Sequence, residues 1–296
     1  MRKAILLHSL PFHYEMIGSI LHHFSHYSID ILSLDNNQWH IVYSKLFKNY
    51  NCIHTILDTN YDLCILDTDD DINMCNTYNK YFQSIPIYII NHIKDGNRST
   101  ISDHYKKCIN IHGIQHPSQP FHFCGYKYIQ NTQDKLKLLS NKITVTIIGD
   151  IINTERYFFK SLINRISNFE NIDFHVINRR KSLWALLYPN IHYHIDCTTQ
   201  EMFNILERSH YIYFFADTRG KYTSSACFGL AYSTLCRLVC SQDKKDQYEI
   251  TSPLFQKMDN KFTLEPVSKE DIENVEKERD MLLSKTSTFI TKLLNN

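Results

Sequence analysis

A run of three hydroxyl residues, Thr223, Ser224 and Ser225, separates a predicted buried strand (YIYFFAD) from a predicted helix of small residues, which a second strand (RLVCS) follows. Because the first N–H groups of a helix have no partner within it and carry partial positive charge, a helix that begins after a strand suits phosphate. Arg219 and Lys221 add positive charge to the same loop. The pattern predicts a phosphate-binding loop, while an ordinary helix cap flanked by solvated cations explains the same residues.

Two other strands predicted in the second half of the chain also end in residues suited to a ligand. Gly149 ends KITVTIIGD, and Asn178 and Arg179 end FHVINR. Ligands of open parallel sheets bind beyond the carboxyl ends of the strands. Gly149 would let the backbone approach a ligand closely, and Asn178 or Arg179 would reach a diphosphate or a base. A plain turn at Gly149 and a surface charge run at Arg179 are the alternatives.

The first half of the chain offers side chains for proton transfer. His13 and Glu15 lie in PFHYEM, between the first predicted strand and its helix, and Asp67 ends the fourth strand. Removal of a proton from a hydroxyl group needs a base, for which His13, Glu15 and Asp67 are candidates, and Asp67 could instead orient the histidine. A ligand cleft beyond the carboxyl ends of these strands would be lined by His8, His92 and His112, which end the first, fifth and sixth strands. Because the chain holds 16 histidines, an incidental role for any one of them is the alternative.

No metal site is predicted. The histidines of HYHID (192–196) and LHHFSH (21–26) lack a full set of ligands at zinc spacing. The acidic run DTDDD (67–71) lacks the glycine and the final glutamate of an EF-hand, so a solvated acidic loop explains it. No GxGxxG, Walker, GxSxG or protein-kinase motif is present, which argues against dinucleotide oxidoreductases, NTPases and α/β-hydrolases.

The elements that carry these residues alternate between strand and helix. The first half predicts strands at 4–10, 28–34, 52–57, 61–67, 85–92 and 107–114, with helices at 14–24, 39–47 and 74–82. After a junction at 115–140, the second half predicts strands at 142–150, 174–179, 191–195, 211–217 and 237–241, with helices at 154–167, 183–188, 198–209 and 268–294. Thr198 or Thr199 with Glu201, and the Ser-Lys-Glu-Asp of 268–271, form capping patterns. The alternation predicts an α/β protein with a parallel-sheet domain at 1–130, a second at 141–267, and a C-terminal helix at 268–296 that packs back across them.

Composition bounds the partners and the compartment. The 296 residues include 32 basic and 31 acidic side chains, a balance that argues against a nucleic-acid-binding protein. None of the nine cysteines forms a CxxC pair, which favours a reducing, cytoplasmic compartment. No run approaches the length of a membrane span. The richness in Asn, Ile, Lys and Tyr is typical of an AT-rich genome, such as that of a large DNA virus.

The order of elements resembles that of a glycosyltransferase of the GT-B architecture. Three segments carry the resemblance: TVTIIGD opens the second half with a strand, TTQEMFNILERSHYIYFFAD is similar to a helix and strand of the family, and KYTSSACFGLAYSTLCRLVCS is similar to its donor-phosphate loop, helix and strand. The resemblance implies two Rossmann-like domains facing a cleft. It places a nucleotide-sugar such as a UDP-sugar on the second domain, and a glycan, protein or small-molecule acceptor on the first.

One departure from the family bears on the mechanism. Many retaining members carry two glutamates at the loop and helix before the last strand, where this sequence has Lys221, Tyr222, Ser224 and Ser225. The resemblance therefore implies an inverting, hexosyltransferase-type enzyme with a base from the first domain. His13 is the first candidate for that base, because the same loop often provides the catalytic histidine in inverting members. The family resemblance implies that neither a divalent metal nor another cofactor is required. A catalytically inactive binding or assembly module and a nucleotide-sugar epimerase of the same architecture are the alternatives.

Overall fold

The chain folds into two compact units. The computed structural model describes residues 2–8, 14–33, 39–56, 60–66, 77, 85–91, 107–110, 126–148, 171–178, 190–213, 226–240, 256–257 and 264–295. The first unit comprises Met1–Tyr126, Arg219–Ala226 and Met281–Asn296, and the second comprises Lys127–Thr218 and Cys227–Asp280.

The first unit is built on a six-stranded parallel sheet. Its strands are β1 (Arg2–His8), β2 (Tyr27–Ser33), β3 (Tyr50–Ile53), β4 (Leu63–Leu66), β5 (Ile87–Asn91) and β6 (Lys107–Asn110), and its helices are α1 (Tyr14–His23) and α2 (Trp39–Leu46). The strand order is β3-β2-β1-β4-β5-β6, so that β1 lies between β2 and β4. The central strands are nearly continuous apolar runs and are buried along most of their length, as the interior of a parallel sheet requires.

Aromatic side chains fill the space beside α1 in the first unit. Tyr126 is 1% exposed, and its ring lies directly against Gly18 in the middle of α1. The Tyr126 hydroxyl donates to the hydroxyl of Tyr43 over 3.2 Å, and its ring meets those of Tyr43 and Phe47 edge-on. Later along the chain, Ser287 returns to α1, where its hydroxyl lies 3.0 Å from Nδ1 of His23. Gly18 is therefore the point at which an aromatic ring packs against helix backbone.

The second unit repeats the sheet of the first. Its strands are β7 (Ile143–Ile148), β8 (Ile172–Asn178), β9 (Ile191–Ile195), β10 (Tyr211–Tyr213), β11 (Arg237–Cys240) and β12 (Gln256–Lys257). They are parallel and follow the order β12-β11-β10-β7-β8-β9. Counted from its own first strand, this is the order 3-2-1-4-5-6 of the first sheet. The remaining helices of the chain are α3 (Thr132–Leu138), α4 (Thr199–Leu206), α5 (Ala226–Ser233) and the long α6 (Lys269–Asn295). The second unit holds α3, α4, α5 from Cys227 onward, and α6 up to Asp280.

Both ends of α4 are satisfied by side chains. At its start, the Thr198 hydroxyl accepts from the backbone N–H of Glu201, and the Glu201 carboxylate accepts from the Thr198 backbone N–H over 2.8 Å. At its end, the buried ammonium of Lys135 in α3 donates to the carbonyls of Leu206 and Glu207 and lies 3.3 Å from Sγ of Cys236. Burial lowers the pKa of Lys135, while the sulfur atom and a nearby carboxylate oppose that shift.

The first part of α6 is fastened to the start of the second unit. Its cap is Ser268, whose hydroxyl accepts from the N–H of Asp271. Arg279 is fully buried and donates to the carbonyls of Ile129 and Gln130, and the Glu276 carboxylate accepts from the backbone N–H of Thr132 over 2.8 Å.

The described residues contain the predicted strands and most of the predicted helices, with bounds that differ by a few residues. The third strand starts at Tyr50 instead of residue 52, and it ends at Ile53. The sequence analysis missed α3 and β12. The predicted helices at 154–167 and 183–188 lie outside the described residues, as does all of 74–82 except Thr77, which is helical.

Candidate functional site

Each sheet has one place where the strand order reverses direction. In the first sheet it lies between β1 and β4, and in the second between β7 and β10. Connections leaving the two strands at such a point diverge to opposite faces, and the crevice that opens beyond their carboxyl ends is the ligand site of open α/β sheets. These two positions are the candidate sites, and each is described within its own unit.

At the second sheet, the predicted ligand residues follow, along the chain, the two strands of the reversal point. Ile147 of β7 pairs with Tyr213 of β10, so that the two strands end side by side. Gly149 comes directly after β7, and the segment 214–225 joins β10 to α5. The predicted donor residues in these segments, Gly149, Arg219, Lys221, Thr223, Ser224 and Ser225, lie outside the described residues.

α5 begins one residue after this polar run and is an almost wholly buried helix. Every described side chain from Phe228 to Cys236 is buried. The first turn of α5 contains no acidic residue. At its other end Leu235 adopts a left-handed conformation with φ of 52°, and the N–H of Cys236 donates to the carbonyl of Ala231 over 2.9 Å, which satisfies a terminal carbonyl. The carboxyl end of α5 is thus closed by its own backbone.

α4 differs from α5 at its amino end. The Glu201 carboxylate occupies the first turn, where it accepts from both the backbone N–H and the hydroxyl of Thr198. These hydrogen bonds lower the pKa of Glu201 below its usual range. A carboxylate there already offsets the helix dipole, so α4 is a poorer position for an external anion than α5.

Asn178 ends β8 beside β7 and is 6% exposed. Its carbonyl accepts from the N–H of Asp196 over 3.0 Å. Asp196 has a φ of 53°, a left-handed conformation that aspartate tolerates better than most residues, and it turns the chain from β9 toward α4. Sequence analysis predicted Asn178 as a ligand residue but not Asp196 beside it. The next predicted residue, Arg179, lies outside the described residues.

In the first unit, the reversal point lies beside a buried histidine. His8 ends β1, is fully buried, and pairs in register with Ser33 at the end of β2, which is buried as well. On the other side, Leu7 pairs with Leu66, the last residue of β4, and Asp67 is the next residue along the chain. His13 directly precedes α1, and the backbone of Glu15 belongs to its first turn. His13 and Asp67 themselves lie outside the described residues, and so does the side chain of Glu15. The other two histidines predicted for this site, His92 and His112, also lie outside them.

The described residues were compared with the requirements of a metal site and of a membrane-spanning helix. Within those ranges, no group of three or more His, Cys, Asp or Glu side chains is arranged to hold a metal ion. None of the described helices is both long and apolar enough to span a bilayer.

The comparisons with known proteins give a fold and no sequence relative. No family model matches the chain, and no curated protein matches its sequence. HepE from Anabaena, solved in complex with UDP and glucose, is similar over 100% of both chains with a TM-score of 0.61 and 8% identity. ADP-heptose LPS heptosyltransferase II from E. coli covers 96% of this chain and 99% of its own, with a TM-score of 0.52 and 13% identity. A Listeria monocytogenes protein named as a UDP-N-acetylglucosamine 2-epimerase covers 97% of this chain and 90% of its own, with a TM-score of 0.53 and 8% identity.

These similarities extend over 96–100% of the chain. They confirm the predicted α/β architecture of two Rossmann-like sheets with a C-terminal helix. At 8–13% identity, they concern the fold alone.

Proposed function

Because the chain has the GT-B fold, we propose that it is a glycosyltransferase that transfers a sugar from a nucleotide-sugar donor to an acceptor hydroxyl group. The observation that carries this proposal is the position of α5. It begins directly after Thr223, Ser224 and Ser225, follows the strand at the reversal point of the second sheet, and has no acidic residue in its first turn. Backbone N–H groups and hydroxyl donors at such a place bind a diphosphate favourably.

The donor side of the proposed reaction consists of residues that follow strands of the second sheet along the chain. The N–H groups that start α5 and the hydroxyl groups before it would bind the diphosphate, with Arg219 and Lys221 neutralising its charge. Gly149 would allow the phosphates to approach the backbone after β7, and Asn178 or Arg179 would contact the nucleotide. Cationic side chains and a helix dipole can stabilise the leaving diphosphate, so the mechanism requires no divalent metal.

The acceptor side would use the first unit. In an inverting transfer, a base takes the proton of the acceptor hydroxyl as its oxygen forms a bond to the anomeric carbon. The bond from that carbon to the phosphate oxygen breaks, and the nucleoside diphosphate leaves with the electron pair. His13 is the proposed base, with Asp67 or Glu15 orienting it, and His8, His92 and His112 would line the acceptor side.

Binding is the first test of the donor site. The full chain is titrated with UDP, ADP, GDP, dTDP and CMP and with their sugar conjugates while its thermal unfolding is followed. A nucleotide present at 100 times its Kd stabilises the folded state by about 2.7 kcal/mol. Ser225→Ala and Arg179→Ala should each weaken that nucleotide about tenfold or more, since each removes a hydrogen bond to a charged group. Ser284→Ala and Arg208→Ala, two exposed positions, are the matched controls and should bind as the wild type does. Wild-type affinity in both site variants would refute the donor site.

Turnover is tested separately from binding. Release of the nucleoside diphosphate in the presence of acceptor should fall by a factor of about 10² to 10⁴ in His13→Ala, with nucleotide affinity unchanged. His40→Ala, an exposed position on α2, should keep full turnover. Unchanged turnover in His13→Ala would remove His13 from the role of base.

An epimerase is the second candidate, because the Listeria protein of that name is similar over nearly the whole chain. The two reactions differ in product. A transferase releases free nucleoside diphosphate in proportion to glycosylated acceptor, whereas an epimerase inverts a carbon of the bound sugar without an acceptor. NMR of the donor sugar after incubation without acceptor distinguishes them. Nucleotide binding with neither product would identify a binding module.

A further inference from the structure

The strand β9 lies at one edge of the second sheet, and its sequence reads the same in both directions. Within the described residues, β9 pairs with β8 on one side and with no strand on the other. Its five residues are IHYHI, with Tyr193 at the centre. In a two-fold antiparallel pair, each residue lies opposite the one that is equally far from the centre. A palindromic edge strand is therefore complementary to a second copy of itself.

The backbone groups at both ends of this palindrome point away from β8. The carbonyl of Asn190 accepts from an N–H of β8 over 2.8 Å, and the N–H of Asp196 donates to a carbonyl of β8 over 3.0 Å. Successive residues of a strand direct their N–H and C=O groups to opposite sides. The even-numbered residues of β9 therefore face β8, while Ile191 and Ile195 direct these groups to the opposite side.

We propose that the chain forms a two-fold symmetric dimer in which β9 pairs antiparallel with β9 of a second copy, with Tyr193 on the two-fold axis. Ile191 of each copy then lies opposite Ile195 of the other, and each of these pairs exchanges both N–H···O=C bonds. His192 of each copy lies opposite His194 of the other, in the closer kind of pair without hydrogen bonds. The proposal does not depend on the glycosyltransferase function.

The apolar side chains of β9 fit this pairing. Ile191 is 6% exposed and belongs to the core of the second sheet, in which it packs with Val176 and Phe174. Ile195, on the same face, is 39% exposed, which is unusual for a large hydrophobic side chain of the described residues. In the dimer, Ile195 packs beside Ile191 of the second copy, so the core of each copy covers the exposed end of the other.

The pairing brings no like charges together. β9 contains no lysine, arginine, aspartate or glutamate. Like charges directly opposite each other on neighbouring strands are destabilising. Burial and the nearby His192 lower the pKa of His194, so His194 is neutral at pH 7 and does not repel His192 of the second copy.

The other edge strands differ from β9. Edges that resist association are commonly short or carry lysine. β12 has two residues and contains Lys257, and β6 contains Lys107. β3 carries no charge, but its sequence, YNCI, does not match itself when it is reversed. β9 combines an uncharged edge with a self-complementary sequence.

Sedimentation velocity of the full chain over a range of concentrations, under reducing conditions, tests the dimer. The wild type should dimerise reversibly, and Ile195→Lys should raise the dimer Kd at least about tenfold, because it replaces both symmetry-related apolar pairs and adds a lysine to the edge. Ile195→Pro should also weaken the dimer, since it removes an N–H that does not bond β8. Ile41→Lys, at a residue of α2 that is 38% exposed, is the matched control and should dimerise as the wild type does. Circular dichroism verifies that each variant is folded.

Cross-linking tests the register. His192→Cys and His194→Cys are made separately in a Cys52→Ser background, which removes an exposed native thiol. The pairing places positions 192 and 194 of different copies about 4.5 Å apart at Cα, whereas position 192 lies about 7–8 Å from its own equivalent. Disulfides need about 4.4–6.8 Å, so an oxidised mixture of the two variants should form the 192–194 disulfide, identified by peptide mass, well above either variant alone.

Three results would overturn the proposal. They are a wild-type chain that is monomeric at every concentration, a folded Ile195→Lys variant with the wild-type dimer Kd, and a mixture that cross-links no better than the single variants. The first would show that β9 binds no second copy, and the other two would show that a dimer forms through another surface.

Discussion

Gly18→Ala should destabilise the first unit, although the same change in most helices is favourable. Alanine exceeds glycine in helix propensity by about 1 kcal/mol. At Gly18, however, the new methyl group would overlap the ring of Tyr126, whose Cε1, Cδ1 and Cζ atoms occupy that space. The ring cannot rotate away freely, because Tyr126 is 1% exposed and packs edge-on against two other rings. Its ring centroid lies 5.4 Å from that of Tyr43 and 5.7 Å from that of Phe47.

The magnitude follows from two opposing contributions. Overpacking a close-packed core costs about 1–3 kcal/mol, and an overlap with a fixed ring belongs at the upper end. After the gain in propensity of about 1 kcal/mol is subtracted, the free energy of unfolding should fall by about 1–2 kcal/mol. Urea unfolding followed by the fluorescence of Trp39 measures it, because this tryptophan belongs to the first unit and packs 6.0 Å from Tyr43. Replacing Trp184 by phenylalanine beforehand leaves Trp39 as the only tryptophan of the chain.

A second background isolates the cause. Tyr126→Leu removes the ring, so the same Gly18→Ala change should then be neutral or stabilising by up to about 1 kcal/mol. If Gly18→Ala raises the stability of the chain that retains Tyr126, the packing explanation of Gly18 is wrong.

Two further predictions concern buried side chains that can carry charge. Arg279→Met should lower the free energy of unfolding by about 3–5 kcal/mol, because the buried guanidinium donates to two backbone carbonyls and to the Asp280 carboxylate. Lys277→Met, at an exposed position of the same helix, should change that free energy little, and equal effects of the two variants in urea unfolding would contradict the prediction. Burial lowers the pKa of His23 to about 3 and the pKa of His210 to about 4. Below pH 6.5 the unfolded chain therefore takes up protons on these histidines that the folded chain does not. The free energy of unfolding should decrease as the pH falls from 6.5 toward 4. His210→Asn should flatten that loss by about 1.4 kcal/mol per pH unit, and an unchanged slope of unfolding free energy against pH would count against the assignment.

Strong local signals explain why much of the fold could be predicted. β9 is found with the predicted bounds, Ile191–Ile195. The capping box of Thr198 and Glu201 and the Ser268 cap of α6 are present in the structure as their side chains predicted. Each of these signals involves residues within a few positions of one another, so it is visible before any tertiary contact is known.

The missed elements lack such a signal for a physical reason. α3 buries the polar side chains of Thr132 and Lys135 instead of an apolar stripe, because its lysine ends under the carbonyls of α4. The periodicity that predicts amphipathic helices is therefore absent from it. β3 is displaced from its predicted bounds because Asn51 and Cys52 are exposed at the sheet edge, where apolar residues do not define a strand.

For the candidate sites, the sequence predicts which residues end strands but not which strands are neighbours. The pairing of His8 with Ser33 and the reversal between β7 and β10 depend on the order of the sheet, which long-range packing decides. The same holds for the histidines of β8 and β9. The alternation of His192 and His194 is visible in the sequence, but the register of β8 against β9 brings Nδ1 of His175 to 2.9 Å from Nε2 of His194.

The two helices that flank β10 along the chain differ in the charged side chains at their ends, and this difference bears on the donor site. α4 carries the Glu201 carboxylate at its amino end and the Lys135 ammonium at its carboxyl end, so charges within the protein offset both poles of its dipole. α5 has no acidic residue in its first turn and no basic residue in its last. Its carboxyl end is closed by the left-handed Leu235 and backbone hydrogen bonds.

An apolar, buried helix whose positive end has no acidic residue is costly unless that end meets hydroxyl groups, water or an anion. In the proposed donor site, a diphosphate would be the anion at that end. Ala226→Asp should therefore stabilise the nucleotide-free chain and weaken nucleotide binding at the same time. The new carboxylate would compete with the diphosphate for the backbone N–H groups of the first turn of α5. Thermal unfolding with and without the nucleotide measures both effects, and a variant that binds nucleotide as tightly as the wild type would show that the diphosphate does not use the start of α5.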